Sequence, residues 1–360
     1  MEMLNGFKDS KLSMNLINKI KNEKSEKISI MEVCGTHTNV ILKSGIKSLL
    51  PNNIKLINGP GCPVCVTSQG YIDTAIELTN RKNIIITTFG DLMKVPGKDS
   101  TLNNEKALGK DIRVVYSPLD SIKIAEDNPN KEVVFLAIGF ETTAPIIALS
   151  IEIAQSKKIR NFSILNSLKT MPQAMESLVL NPNLKVDAFL CPGHVATIIG
   201  EEQFKNLALK YKIPMVITGF EINDILASIC KIVEMKNKCE NELVNLYSRF
   251  VKKEGNINAI NIIYEVFNEC ESYWRGLGKV NNAGLEIKEK YKEFDSLSKF
   301  NISFLKENDN KGCSCGEVLI GLKEPRECKL FGTVCTPLTP IGACMVSEEG
   351  ACSAYYKYCW

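Results

Sequence analysis

A chain of 360 residues is long enough for two or three domains, and 44% hydrophobic with 24% charged residues is ordinary for a water-soluble globular protein. The formal net charge of +3 is small and gives no ground for a nucleic-acid or anionic-membrane partner. Residues 1–27 carry no signal-peptide core, and no run approaches the ~18 apolar residues of a membrane span, so a cytoplasmic protein is expected.

In that compartment the fourteen cysteines are not expected to be structural disulfides, which leaves metal binding or thiol chemistry.

Residues 1–27 are expected to form a helix that packs on the last third of the chain. From residue 28, short β-branched runs alternate with amphipathic stretches. Strands are expected at 28–33, 54–57, 84–87, 113–116, 132–138, 162–166, 186–190 and 215–218, with helices such as 68–80, 142–157 and 222–236 between them. This alternation is that of parallel sheets covered on both faces. The Pro-, Asp- and Asn-rich stretch 117–130 divides it into two similar α/β domains, 28–117 and 118–236. A third region, 237–360, reads as helical to about residue 300 and then becomes dense in Gly, Pro and Cys.

The first chemically informative turn is IMEVCGTHT, in which Cys34 follows a strand and precedes a helix. A helix N-terminus lowers a thiol pKa. His37, three residues on, is placed as a base, a hydrogen-bond partner or a second ligand. The bland alternative is a packed cysteine and a capping threonine. Next comes NGPGCPVCV, where Cys62 and Cys65 have the spacing of a redox dithiol or of half a metal site. No second pair stands near, so the dithiol is preferred.

Three segments then echo one another: ITTFGD ending at Asp91, AIGFE ending at Glu141 and ITGFE ending at Glu221. Any one acid there is explained by the positive helix N-terminus. Together they place carboxylates where open α/β sheets bind ligands. His194, in CPGHV beside Cys191, is the second of only two histidines and again occupies a strand-to-helix turn. Cys230, Cys239 and Cys270 fall in helix-like stretches and are expected to be buried and inert.

Seven cysteines close the chain: Cys313, Cys315, Cys328, Cys335, Cys344, Cys352 and Cys359. Four such thiolates suit a [4Fe–4S] cluster or a structural zinc ion. Their spacing matches neither the bacterial ferredoxin run nor paired zinc motifs, and both metals stay open.

Seven motifs in order — MEVCGTHT, GPGCPVCV, FGDLMKVPG, GFETTAP, CPGHV, ITGFE and LFGTVCTPLTPIGACMVSEEGACSAYYKY — resemble those of the hydrogenase maturation (formation) protein HypD family. The resemblance covers nearly the whole chain. It implies two similar α/β domains plus a third region holding an iron–sulfur segment. It also implies a factor that helps build the Fe(CN)₂CO group of [NiFe]-hydrogenases, acting as a monomer in a heteromeric complex. The implied partners are a HypC-type chaperone and a HypE-type cyanide donor, with HypF upstream.

On this resemblance Cys34 would hold the Fe(II) that transiently carries cyanide and carbon monoxide, and Cys62 with Cys65 would be the redox dithiol. The [4Fe–4S] cluster would take Cys315, Cys328, Cys335 and Cys352, with Cys313 as first substitute and Cys344 and Cys359 less expected. His37, Asp91, Glu141 and His194 would support the chemistry around the iron. The rival readings are a stand-alone iron–sulfur-dependent thiol–disulfide reductase and a zinc-stapled interaction module.

Overall fold

Aliphatic and β-branched runs form strands close to where their pattern predicts. The computed structural model describes residues 10–23, 25–306 and 312–359. Among these, the strands are β1 (Ile28–Glu32), β2 (Ile54–Asn58), β3 (Ile84–Thr88), β4 (Ile112–Val114), β5 (Glu132–Gly139), β6 (Phe162–Leu168), β7 (Ala188–Pro192), β8 (Met215–Thr218), β9 (Leu243–Asn245), β10 (Phe267–Trp274) and β11 (Gly278–Ile287). They build a five-stranded sheet ordered β2-β1-β7-β8-β9, a four-stranded sheet ordered β4-β3-β5-β6, and the hairpin β10-β11. Every pairing within the two larger sheets is parallel.

Alternate strand residues face opposite cores, as the pleat requires. In the first sheet Ile28, Ile30, Leu56, Leu190 and Val216 pack outward under helices Ser10–Asn22 and Ile222–Asn237. Met31, Phe189, Cys191 and Ile217 point the other way, into a core shared with Ile86, Val134 and Leu136 of the second sheet. That middle core also takes Cys65, Cys315 and Cys352. The far face of the second sheet, with Ile85, Phe135 and Ile164, is covered by helix Ala144–Ser156. At roughly 2 kcal/mol per fully buried aliphatic side chain, the shared core binds the sheets and the cysteine-rich segment into one body.

The sheets do not divide at residue 117. β1 and β2 pair with β7–β9, whereas β3–β6 form the second sheet, so the expected boundary falls between β4 and β5. Strand order is set by long-range pairing, which local composition does not carry. The supposed linker is a helix start: Ser117 caps helix Pro118–Asp127 in a capping box with Asp120, and Pro118 opens the first turn.

The N-terminal helix also packs elsewhere than expected. Ile17 and Ile20 enter the outer core, and the Ser13 hydroxyl donates to Asn223 Oδ1 at 2.6 Å, so its partner is helix Ile222–Asn237. Residues 1–9 and 24 of that expected helix lie outside the described residues. Within 237–300, only Ile257–Val266 is a long helix, and the antiparallel hairpin β10-β11 follows it. The hairpin turn holds Gly276 at φ +90° and Gly278 at φ +74°, a left-handed pair that suits glycine.

Two cysteine expectations, those for Cys239 and Cys270, change with the fold. Cys191 lies inside β7, facing the middle core, and burial pushes its thiol pKa up. Cys239 is exposed just beyond a helix end, and Cys270 is half-buried on β10. Cys230 is buried in helix Ile222–Asn237 as predicted. No helix of the described residues is long and apolar enough to cross a membrane.

Candidate functional site

Three chain segments meet at Cys34. The residue caps helix Gly35–Lys43 at the end of β1, and its backbone N–H donates to Glu32 Oε2 at 3.2 Å. Gly35 N–H donates to Gly61 O at 3.1 Å, joining this turn to the one before Cys62. A Cβ on Gly61 would stand 2.3 Å from Cys34 N, and one on Gly35 would stand 2.4 Å from Glu349 Cβ. Glycine is required at both positions because backbone is packed on backbone. Thr36 Oγ1 adds a 3.2 Å hydrogen bond to Glu349 Oε1.

Burial reverses the pKa expected for Cys34. Desolvation, then the neighbouring Glu349 carboxylate, push the thiol up to about 12. The backbone N–H groups of His37 and Thr36 at the helix N-terminus oppose this and are outweighed. The thiol is therefore protonated in the metal-free chain, and a cation sharing the pocket is what would ionise it.

Glu32, which composition alone did not single out, lies beneath Cys34. It is buried, accepts from Thr38 Oγ1, from Asn58 Nδ2 at 2.7 Å and from Cys34 N, and is raised to about 8 chiefly by desolvation. Its one sequence signal was an acid in a largely apolar strand.

Cys62 caps the short helix Pro63–Val66, accepting from Cys65 N at 3.2 Å, and the two residues form a disulfide with Cα atoms 5.3 Å apart. Cys65 Sγ lies 3.9 Å from Ala343 O. The dithiol turn thus touches the cysteine-rich segment on one side and the Cys34 turn on the other.

The two histidines share one aromatic partner. His37 and His194 both stack on Phe220, with ring centroids 4.8 Å and 3.8 Å away, and Tyr247 meets Phe220 edge-on. His37 Nε2 lies 3.0 Å from Gly219 O. A carbonyl only accepts, so Nε2 carries the proton. Nδ1 is then a lone-pair acceptor, buried with no partner among the described residues. Desolvation holds His37 down to about 4, so the ring is neutral near pH 7. Phe220 is the aromatic of the third GF-acid echo, and its role was not visible in that motif.

The acids of the echoes separate. Asp91 is exposed at the start of the short helix Gly90–Lys94, with Ser347 Oγ 3.5 Å from its Oδ2. Glu141 is 4% exposed and accepts from Met171 N at 2.8 Å, while its Oε2 has no partner among the described residues. Burial raises it to about 7. Glu221 caps helix Ile222–Asn237, where its N–H donates to Asp224 Oδ2 at 3.3 Å, so capping explains it. Segment 343–349 ties the two sheet edges together, touching Cys65 at Ala343, Asp91 at Ser347 and Thr36 at Glu349.

Six of the seven C-terminal cysteines surround one small cavity. Its lining holds Cys313, Cys315, Cys328, Cys335, Cys344 and Cys352. All four cysteines expected as cluster ligands are there, joined by Cys313 and also by Cys344, which had seemed peripheral. Cys359 is at the end of helix Ala351–Tyr358, outside this lining.

The donor set fits an iron–sulfur group. Backbone N–H groups point at two of the sulfurs, Ile341 N to Cys335 Sγ at 3.4 Å and Cys352 N to Cys344 Sγ at 3.3 Å. A Cβ on Gly342 would crowd Cys313 Sγ at 2.8 Å. Cys313, Cys315, Cys344 and Cys352 interact in sequence through their side chains, and with Cys328 and Cys335 they line the cavity. Thiolates around a space are the donors that iron–sulfur clusters use, with N–H···S bonds tuning them.

The family model HypD, described as the hydrogenase formation hypA family, matches residues 11–359. Hydrogenase maturation factor HypD2 of Bradyrhizobium diazoefficiens is 43% identical over 368 residues, covering 99% of this chain and 97% of that protein. A putative hydrogenase expression/formation protein of Methanocaldococcus jannaschii is 47% identical over 348 residues, covering 97% and 96%. Hydrogenase maturation factor HypD of Escherichia coli is 42% identical over 334 residues, covering 92% and 89%.

Proposed function

The chain belongs to the HypD family, and from that premise we propose that it is a hydrogenase maturation factor, a scaffold on which iron receives cyanide and carbon monoxide. The observation that carries the reading is the junction of the Cys34 turn, the Cys62–Cys65 turn and segment 343–349. That junction supports a reading in which a lone ligand, a two-electron dithiol and a thiol-lined cavity act in series.

In this reading Cys34 binds the Fe(II) cargo, a soft thiolate for an iron that also carries cyanide and carbon monoxide. A HypC-type chaperone supplies a further thiolate, and a HypE-type protein, with HypF upstream, delivers cyanide. Cys62 and Cys65 exchange two electrons as they pass between disulfide and dithiol. Four of the cavity cysteines hold a [4Fe–4S] cluster, with Cys315, Cys328, Cys335 and Cys352 as the assigned set and Cys313 or Cys344 in reserve. When bound, that cluster supplies one-electron chemistry beside the dithiol.

His37, with its proton committed to Gly219, can accept a hydrogen bond at Nδ1 but not donate one to a diatomic ligand. Its part is to shape the pocket with Phe220 and His194. Asp91, at the solvent edge, and Glu141, poised near neutrality, are the groups assigned to proton handling.

Anaerobic co-expression with a HypC-type partner, followed by infrared spectroscopy and iron counting, tests the assignment. The wild-type complex is expected to show bands for bound cyanide and carbon monoxide. Cys34→Ala is expected to lose them along with the cargo iron, while keeping the iron of the C-terminal centre. Retention of the bands in Cys34→Ala would refute the ligand role. Steady disulfide turnover that needs Cys62 and Cys65 but not Cys34 would favour the stand-alone reductase.

A further inference from the structure

The tip of the β10-β11 hairpin is wedged between the dithiol helix and the cysteine cavity. On one side Arg275 N–H donates to Val66 O at 2.9 Å, and its guanidinium donates twice to Thr67 O, from Nε at 3.3 Å and Nη2 at 3.0 Å. Val66 and Thr67 end the helix that carries Cys65. On the other side Gly276 packs on Gly316, the residue after Cys315. A Cβ on Gly276 would lie 2.5 Å from Gly316 O. The tip is held from below by Trp274, whose indole Nε1 donates to Ala283 O at 3.0 Å and whose ring stacks on Phe140.

Arg275 is only 9% exposed, and it shares the lining of a cleft of about 400 Å³ with Cys313 and Cys315. A guanidinium never gives up its proton under working conditions, so a fixed positive charge stands between the two thiol groups. A cation in a partly desolvated site stabilises whichever redox state is more negative. For thiolate-bound iron that is the reduced state, and for the cysteine pair it is the reduced state in which one sulfur is a thiolate.

We propose that Arg275 is a positioning residue for electron exchange: it fixes the end of the dithiol helix against the cysteine cavity, and its charge raises the reduction potential of both centres. The inference rests on the reading that the cavity holds an iron–sulfur cluster. The hairpin tip reaches the Cys65 helix and the helix Cys315–Leu319 together, and Arg275 supplies its charged atoms.

The test uses the full chain, reconstituted anaerobically, as wild type, Arg275→Gln and Arg275→Lys. Iron and sulfide are counted, the cluster midpoint is read by redox titration with electron paramagnetic resonance, and the Cys62–Cys65 couple is equilibrated with dithiothreitol. In that exchange, run at a pH where one cysteine of the pair ionises, the protein S–S bond breaks to a thiol and a thiolate, while dithiothreitol gives two electrons and two protons, one of which passes to solvent, and closes to its cyclic disulfide.

Arg275→Gln is expected to load iron fully, to lower the cluster midpoint, and to move the exchange about tenfold toward the protein disulfide, about 30 mV on a two-electron couple. Arg275→Lys, which keeps the charge, is expected to stay near wild type at the cluster. Full iron with both couples unmoved in Arg275→Gln would overturn the inference, as would a cluster shift in Arg275→Lys as large as in Arg275→Gln. Should Arg275→Gln fail to load iron, its dithiothreitol equilibrium still decides, and no shift there counts against the proposal. A wild-type chain that takes up no iron would instead refute the cluster reading, and the same dithiol measurement would judge Arg275 separately.

Discussion

The two parallel sheets end their strands in similar glycine-bearing turns, yet they put different chemistry there. The first sheet presents Cys34 after β1, the Cys62–Cys65 pair after β2 and His194 after β7, with Phe220 after β8 beneath the histidines. The second presents Asp91 after β3 and Glu141 after β5. Packing separates the edges as sharply as residue type. Gly61 lies against the backbone of Cys34, where a Cβ would approach to 2.3 Å, whereas a Cβ on Gly90 would meet only Val114 Cγ1 at an ordinary 3.8 Å. The thiol edge is a closed joint of three segments and the Asp91 turn of the acid edge is open. Under the proposed function, the contrast would keep a metal-binding thiol dry and leave the Asp91 carboxylate accessible to solvent.

The largest test of this contrast compares the two glycines. Gly61→Ala is expected to destabilise the fold by about 4 kcal/mol or to prevent accumulation of soluble protein, because backbone must move to admit the methyl group. Gly90→Ala should change stability by less than about 0.5 kcal/mol. Thermal unfolding of both variants checks the pair, and equal effects would erase the distinction between closed and open edges.

A second test turns on Glu141. Its folded pKa of about 7 lies above the ordinary 4.5, so its contribution to stability is fully present below pH 4.5 and is lost as pH rises through 7. That interval is worth at most roughly 3 kcal/mol. Glu141→Gln should therefore gain stability relative to wild type at pH 8 but not at pH 4.5, as followed by denaturant unfolding across that range. A pH-independent difference would mean that the carboxyl is not strained by burial.

The smallest effect is spectroscopic. His37, held down to about 4, should keep a neutral Nε2–H ring from pH 5 to 8 in nitrogen-15 NMR. Phe220→Leu should let its shifts move in that range by loosening the stack. A His37 signal that titrates near 6.5 in the wild type would show that the pocket is wetter than its packing indicates.

Much of the fold was legible because strands buried on both faces need apolar, β-branched residues, whatever they pair with. The placement of Cys34, Cys62 and Cys65 in turns was legible because Gly and Pro punctuate the chain around them. The hairpin was missed because β10, FNECESYW, buries little beyond Phe267 and Trp274, so its period-two pattern is faint. Reading a lowered pKa at Cys34 failed for a related reason. The helix N-terminus is a local feature, but what overrides it is burial under packed segments such as the Gly61 turn, followed by the charge of Glu349, and both segments are far away in the chain.

By itself the sequence determined the class of fold and the turns in which Cys34, Cys62 and Cys65 stand, since those depend on composition and short-range pattern. Tertiary structure decided which strands share a sheet, that His37 and His194 meet on Phe220, that Glu32 and Glu349 flank Cys34, and that six distant cysteines ring one cavity. Apart from Glu32 beside Cys34 and Cys313 beside Cys315, these are pairings between residues far apart in the chain. Their energies arise only when water is expelled between surfaces that folding brings together, and no window along the chain contains both partners.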